Sequence, residues 1–127
     1  IKPVKELRLA KVYEAAQHVK GTKQSSLLYE AAVIERTLGN TDNAAATITA
    51  ALVANPNNFQ MRLVHIDLAL ALGDTNTAKK EIDWCLLRRP DSQKLQGRIQ
   101  RLKQLRIEQA SMPTALNKSV GTPGERK

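Results

Sequence analysis

The side chains of this sequence that could ligate a metal ion or act as nucleophiles are few and far apart. Neither His18 nor His65 has a second His, Cys or carboxylate at a spacing typical of a metal site. The single cysteine, Cys85, has no evident base beside it and lies in no motif that would stabilise a thiolate. The sequence also has no glycine-rich phosphate loop, no serine nucleophile elbow and no pair of catalytic carboxylates. It therefore predicts no catalytic residue, no metal, no cofactor and no enzymatic activity.

Basic residues offer a second kind of chemistry, because clustered Lys and Arg can bind phosphate groups or acidic partners. The formal net charge is +8, and the excess lies at the ends: residues 1–24 carry six Lys or Arg against two Glu, and residues 93–127 carry eight against two. One candidate patch falls on a single predicted helix and consists of Lys94, Arg98, Arg101, Lys103 and Arg106. A solvated helix face is the commoner explanation of such a set, and aromatic residues, 3% of the chain, are too scarce to stack on single-stranded bases. Binding of nucleic acid or of an anionic surface is therefore the alternative prediction.

The composition is that of a small helical domain. A chain of 127 residues is long enough for one domain with a modest core. Hydrophobic residues make up 42% of it, so with few aromatics the core must consist of Ala, Leu, Ile and Val, which suits close-packed helices. No run approaches the length of an apolar membrane span. The chain opens at Ile1 rather than Met, which suggests a processed product or a piece of a longer protein and leaves the cytoplasm and the periplasm open as compartments.

A repeat of 34 residues is the strongest pattern in the chain. Four landmarks of different chemistry recur at this spacing, since Gly39, Ala44, Pro56 and Asn57 return as Gly73, Ala78, Pro90 and Asp91. Apolar residues at helical intervals predict a pair of helices in each unit, at residues 25–38 and 41–54 and at residues 59–72 and 75–89. A left-handed glycine would close each first helix, and the proline would end each second one. Each unit is therefore predicted to be a helical hairpin, whose first helix is capped by Ser25 or Ser26 in one unit and by Asn57-Asn58 in the other.

Helical stripes also flank the two units. Residues 4–20 carry one such stripe and are interpreted as the second helix of an earlier unit; its members are Val4, Leu7, Val12, Ala15, Ala16 and Val19. Residues 92–109 are apolar on one side and basic on the other, which is typical of a terminal capping helix. Residues 111–127 contain Pro and Gly but no helical stripe, so we expect a disordered tail.

The repeat length, the hairpins and the terminal Pro followed by Asn or Asp together resemble the tetratricopeptide repeat family. The family's small residue early in the second helix matches Ala44 and Ala78, and its later small residue matches Ala51 and Cys85. The family often carries Trp, Leu, Gly and Tyr in its first helix, and this chain departs from that pattern. The corresponding positions hold Leu28, Ala31, Ala32 and Glu35 in one unit and Arg62, His65, Ile66 and Ala69 in the next. The resemblance implies a right-handed α-solenoid over residues 1–110, divided into a partial repeat at 4–24, repeats at 25–58 and 59–92, and a capping helix at 93–110.

The resemblance also implies that the chain binds other proteins, because stacked repeats of this family present a concave surface lined by their first helices. If the family register holds, that groove is lined by Ser26, Tyr29, Val33, Arg36, Thr37, Gln60, Leu63, Asp67 and Leu70. Such a mixed and mainly apolar surface would suit an amphipathic helix or an extended peptide. Two other interpretations stay open: these are ordinary surface residues, or Leu63 and Leu70 pack against a neighbouring repeat.

One specialised function of the family is not predicted. Its co-chaperones grip an acidic C-terminal peptide with Lys and Asn side chains on successive first helices. The corresponding positions here hold Tyr29, Val33, Gln60 and Val64, so the resemblance gives no carboxylate clamp.

The leading functional prediction is a scaffold or adaptor within a larger assembly. The loops LGNTDN and ALGDTN are similar to those of bacterial repeat proteins, which serve pilus biogenesis, secretion and envelope polymer export. A docking segment of a larger enzyme is a third possibility. Because no helix precedes residues 4–20, we also expect either upstream repeats or self-association through this N-terminal helix.

The remaining singular residues have packing interpretations. His65 falls at a packing position of its predicted helix, and Cys85 falls at a small-residue position. Trp84 corresponds to Ala50 in the repeat register, outside the packing signature, so it is either a contact anchor or a residue that packs against the capping helix.

Overall fold

The computed structural model describes residues 4–111, and this range forms six α-helices and no β-strand, with 82% of its residues helical. The helices are α1 (Val4–Ala16), α2 (Gly21–Thr37), α3 (Thr41–Ala54), α4 (Phe59–Ala71), α5 (Thr75–Arg88) and α6 (Gln93–Ala110). The all-α prediction is therefore confirmed. The predicted tail lies outside the described residues, apart from Ser111.

Each helix packs against the next one along the chain, and α4 also packs against α6. The turns of the α2–α3 and α4–α5 hairpins have the same geometry, because Gly39 and Gly73 adopt φ values of +84° and +75°. The hydrogen bonds match as well: the amides of Gly39 and Asn40 donate to residues 36 and 35, and those of Gly73 and Asp74 donate to residues 70 and 69. The 34-residue register therefore extends to the backbone of the two turns.

Side-chain caps begin the later helices. The Asn58 side chain accepts from the Met61 amide at the start of α4, and Asp74 accepts from the Thr77 amide at the start of α5. Both bonds satisfy amides that the first turn of a helix leaves without a partner. Hydrogen bonds from the Thr77 side chain and from its amide lower the pKa of the Asp74 carboxyl.

The predicted start of α2 is wrong, because the helix begins at Gly21 and neither Ser25 nor Ser26 is its cap. Gly21 adopts φ +67°, which only glycine takes without strain, and this lets the chain enter the helix one turn earlier than the apolar pattern indicated. Ser25 is fully buried, and its hydroxyl donates to the Ala51 carbonyl oxygen at 2.9 Å. It therefore joins α2 to α3.

Two apolar clusters form the core. The first joins α2, α3 and α4, and the second joins α4, α5 and α6, so α4 is buried on two sides. Ala44 and Ala78 are fully buried at equivalent positions of α3 and α5, where a small side chain lets the helices approach closely. At the N-terminal end, α1 buries Val12 and Ala16 but leaves Val4 exposed.

No helix in this part of the chain combines the length and the apolar composition that crossing a membrane requires.

Candidate functional site

The residues predicted to line a binding face lie on α2 and α4, and one ion pair joins the two helices there. Arg36 Nη1 of α2 is 3.9 Å from Asp67 Oδ2 of α4. Ser26, Val33 and Gln60 are exposed on the same two helices. The structure thus brings the polar residues Arg36 and Asp67 together as the sequence predicted.

Asp67 has a second and closer cationic partner on α6. Arg98 donates from Nε to Asp67 Oδ1 at 2.7 Å and from Nη2 to Oδ2 at 2.8 Å, a bidentate geometry that fixes both side chains. Arg36, Asp67 and Arg98 therefore form one row across α2, α4 and α6. We refer to them as the Arg36–Asp67–Arg98 row.

In the sequence, Arg36 and Asp67 belong to the predicted groove, and Arg98 belongs to the predicted basic patch. A signal for the row was present, since Asp67 and Arg98 are 31 residues apart and Arg36 precedes Asp67 by the same interval. This interval of 31 residues differs from the 34-residue repeat period, so the repeat pattern alone does not indicate the row.

Leu63 and Leu70 do not lie on an accessible face, so this part of the predicted groove is wrong. Their exposed fractions are 1% and 7%, and both belong to the cluster that α4 forms with α5 and α6. The alternative interpretation, packing against a neighbouring unit, is the one that the burial supports. Residues of α5 and α6 together bury these two side chains.

The accessible part of the predicted face is mixed in character. Val33 is an exposed apolar side chain, and Tyr29 is half-buried where it packs against the α2–α3–α4 cluster. Ser26 and Gln60 add exposed polar groups. The accessible surface of α2 and α4 therefore offers both apolar and hydrogen-bonding side chains.

The predicted basic patch on α6 divides into paired and unpaired members. Arg98 is bound to Asp67, and Arg101 Nη1 lies 3.9 Å from Glu108 Oε1 on the same helix. Lys94, Lys103 and Arg106 are exposed and form no ion pair within residues 4–111. The patch therefore offers fewer free charges than its sequence indicates.

A cleft between α5 and α6 was not predicted from the sequence. It encloses about 250 Å³ and has an apolar floor with charged residues around it. Its lining consists of Lys79, Ile82, Asp83, Leu86, Ile99, Leu102, Lys103 and Arg106. Only the relative position of the two helices brings these residues together, so no local pattern could reveal it.

His65 is part of a buried polar cluster between α4 and α5. Its Nδ1 lies 3.0 Å from Glu81 Oε2, and Arg62 Nη1 donates to the same carboxylate at 2.8 and 3.0 Å. Burial alone would raise the pKa of the Glu81 carboxyl, but the hydrogen bonds and charges of His65 and Arg62 outweigh it and lower that pKa. The packing interpretation of His65 agrees with these contacts between α4 and α5.

Two guanidinium groups lie close to the Trp84 ring. The Cζ atoms of Arg62 and Arg88 lie 4.4 and 3.7 Å from its ring centroid, which is within the range of a cation–π interaction. Trp84 also packs against the cluster of α4, α5 and α6. Of the two interpretations of this residue, the contacts favour packing.

A second polar cluster joins α1, α2 and α3. The Tyr13 hydroxyl donates to Glu35 Oε2 at 2.6 Å and lies 2.6 Å from Thr47 Oγ1. Burial and the bond to Glu35 raise the pKa of Tyr13. Glu35 Oε1 is buried without a hydrogen-bond partner in the described part of the chain.

Cys85 is fully buried, and its surroundings disfavour the thiolate. Burial and the nearby negative charge of Glu81 raise the pKa of its thiol to about 11. Residues 4–111 contain no group of three or more His, Cys, Asp or Glu side chains that could hold a metal ion.

Comparisons of the chain with known proteins identify no relative. No protein-family model matches it, and no curated protein or solved structure shows a significant similarity to it. The inference of function therefore depends on the repeat pattern and on the geometry described above.

Proposed function

We propose that this protein is a helical-repeat scaffold or adaptor of the tetratricopeptide type. In this proposal, α2–α3 and α4–α5 are the repeat units, α1 is the second helix of an earlier unit and α6 is the capping helix. The matching turns at Gly39 and Gly73 and the buried small residues Ala44 and Ala78 support the assignment of units. Right-handed stacking of the units into a solenoid is part of the proposal.

The proposed binding face runs across α2, α4 and α6, and the Arg36–Asp67–Arg98 row is the observation that carries it. In a stack of hairpins the first helices lie side by side, and a row of charged side chains that links α2, α4 and α6 supports that arrangement. Asp67 accepts two hydrogen bonds from Arg98 and lies 3.9 Å from Arg36, so the row links neighbouring helices. Such links favour a preorganised surface, which reduces the cost of binding.

The residues beside the row suit a protein or peptide. Tyr29 and Val33 provide apolar contact area on α2, and Ser26 and Gln60 can hydrogen-bond to a peptide backbone. The proposed partner is an amphipathic helix or an extended peptide.

Nucleic-acid binding is the weaker alternative. Arg98 and Arg101 of the basic patch have acidic partners, which reduces the charge available for phosphate. A bacterial role in pilus biogenesis, secretion or polymer export is a narrower form of the same proposal and depends on the sequence resemblance alone. A docking segment of a larger enzyme is a separate alternative.

Site-specific photo-crosslinking in the source cells tests the proposal. The photoreactive residue replaces Ser26 or Gln60 on the proposed face, and Ala46 or Thr49 on α3 serves as the control because all four positions are exposed. We expect both face positions to capture the same protein and both control positions to miss it. Capture of nucleic acid at the face, or of the same protein at the control positions only, would contradict the proposal.

A further inference from the structure

The turn that closes α2 and α4 is missing from α6. Gly39 and Gly73 end those two helices, and the next position in the 34-residue register is Ile107, which lies inside α6. Isoleucine does not readily adopt the left-handed backbone conformation that ends α2 and α4, and α6 continues past Ile107 to Ala110. The Gln109 side chain then donates to the Gly73 carbonyl oxygen at 2.9 Å and fixes this extension against the preceding turn.

As a result, α6 has no following helix packed against it within residues 4–111, whereas α2 is followed by α3 and α4 by α5. In the preceding unit, α5 covers α4: His65 contacts Glu81, and Ala69 belongs to the same apolar cluster as Ala78. The register equivalents of His65 and Ala69 are Ile99 and Lys103 of α6.

Both of these equivalents line the cleft between α5 and α6. Its floor is apolar and includes Ile82, Leu86 and Ile99. The cleft therefore lies where one more helix would pack.

The charges around the cleft indicate what kind of helix fits. Lys79, Lys103 and Arg106 occupy positions that hold Ala45, Ala69 and Leu72 one unit earlier. At these three positions the residues that line the cleft are cationic, whereas their equivalents one unit earlier are uncharged. The acidic residue of the lining, Asp83, is bound to Lys79 Nζ at 2.7 Å.

We propose that the cleft between α5 and α6 binds an amphipathic helix of a partner protein. The apolar side chains of the partner helix contact Ile82, Leu86 and Ile99. Asp or Glu side chains that flank its apolar face lie opposite Lys103 and Arg106. An apolar groove with a charged rim recognises a helix in this way, and charge complementarity selects the partner.

Two other occupants fit the charges less well. The chain's own residues 112–127 carry Lys118, Arg126 and Lys127 against Glu125, so they have the same sign as the rim. A second copy would have to present an apolar helix, and α1, which exposes Val4, carries three basic residues against two acidic ones. Like charges oppose both arrangements.

The test uses the full chain and two synthetic, helix-stabilised peptides. Both carry leucines at helical spacing, and they differ only in having Glu or Lys on the flanks. Fluorescence anisotropy measures the affinity of each peptide for wild type, for Lys103→Glu/Arg106→Glu and for Lys5→Glu/Lys11→Glu. The last variant is the matched control, because it makes the same change in net charge on α1.

We expect the Glu peptide to bind the wild type more tightly than the Lys peptide does. Lys103→Glu/Arg106→Glu should lower the affinity for the Glu peptide by at least about tenfold. The α1 control should change that affinity by less than about twofold. Ile99→Ala should weaken both peptides through the lost apolar contact, with circular dichroism confirming that the variant is folded. The Tyr29→Ala variant should bind the Glu peptide as wild type does, which distinguishes this cleft from the face proposed on α2 and α4.

Three results would overturn the proposal: no binding of the Glu peptide, equal binding of the two peptides, or an equal loss in the α6 and α1 variants. Methyl NMR of Ile82 and Ile99 without peptide supplies a further check. Concentration-dependent shifts there would show that a second copy fills the cleft instead.

Discussion

The hydroxyl oxygens of Tyr13 and Thr47 are 2.6 Å apart, although one full repeat length of 34 residues separates them in the sequence. One repeat further on, the same position of α5 holds Glu81, which lies in the cluster with Arg62 and His65. The position is thus polar in α1, α3 and α5, and each of these side chains makes hydrogen bonds between helices. Residues one repeat period apart, such as Tyr13 and Thr47, can therefore be in direct contact in the fold.

Tyr13→Phe should destabilise the fold. The change removes the donor to Glu35 Oε2 and leaves a buried carboxylate that already has one unpartnered oxygen. We expect a loss of about 1 to 3 kcal/mol in the free energy of unfolding, measured by urea denaturation. The control is Tyr29→Phe, outside this cluster. Equal stability of Tyr13→Phe and wild type would show that the bond to Glu35 contributes nothing.

Glu81 should make the protein sensitive to acid. Its folded pKa lies below the ordinary value of 4.5, so the unfolded chain binds this proton more readily. The stabilisation is therefore present above about pH 4.5 and is lost as the pH falls through the folded pKa. Urea denaturation between pH 7 and pH 3 should show this loss in wild type and a smaller one in Glu81→Gln. Identical pH profiles would contradict the role given to Glu81.

The Cys85 thiol should react slowly in the folded protein. Its pKa of about 11 exceeds the ordinary value of 9.0, so near pH 8 the native thiolate fraction is roughly a hundredth of that of an unperturbed thiol, and burial limits access further. Because the unfolded chain loses this proton first, the associated stability falls as the pH rises from about 9 to 11. Reaction with a chromogenic disulfide, compared with the urea-unfolded chain, measures the effect. Similar rates in the two states would place the thiol at the surface.

Ala44→Leu and Ala78→Leu should each destabilise the hairpin in which they lie. Both alanines are fully buried, and added volume in a packed core costs roughly 1 to 3 kcal/mol. Ala46→Leu provides the control because Ala46 is exposed on α3. Thermal unfolding that is unchanged in the two buried variants would remove the basis for the packing assignment.

Local signals explain which parts of the fold could be predicted from the sequence. The bounds of α3 and the turn glycines follow from side chains within a few residues, and so does the Asn58 cap. The sequence left open whether Leu63 and Leu70 line the groove or pack against a neighbouring unit. The choice depends on α5 and α6, which no local pattern places against α4. The cleft was missed for the same reason, since its floor belongs to two helices whose relative position no local pattern specifies.

The affinity of the crosslinked partner for paired variants tests the central claim most directly. The test variant is Tyr29→Ala/Val33→Ala, on the proposed face. The control is Val53→Ala/Leu87→Ala, which removes two apolar side chains that are 80% and 83% exposed at equivalent positions of α3 and α5. Titration calorimetry should show binding weakened by about tenfold or more in the test variant and nearly unchanged in the control. Unchanged binding in the test variant together with a loss in the control would contradict the account and move the interface to α3 and α5.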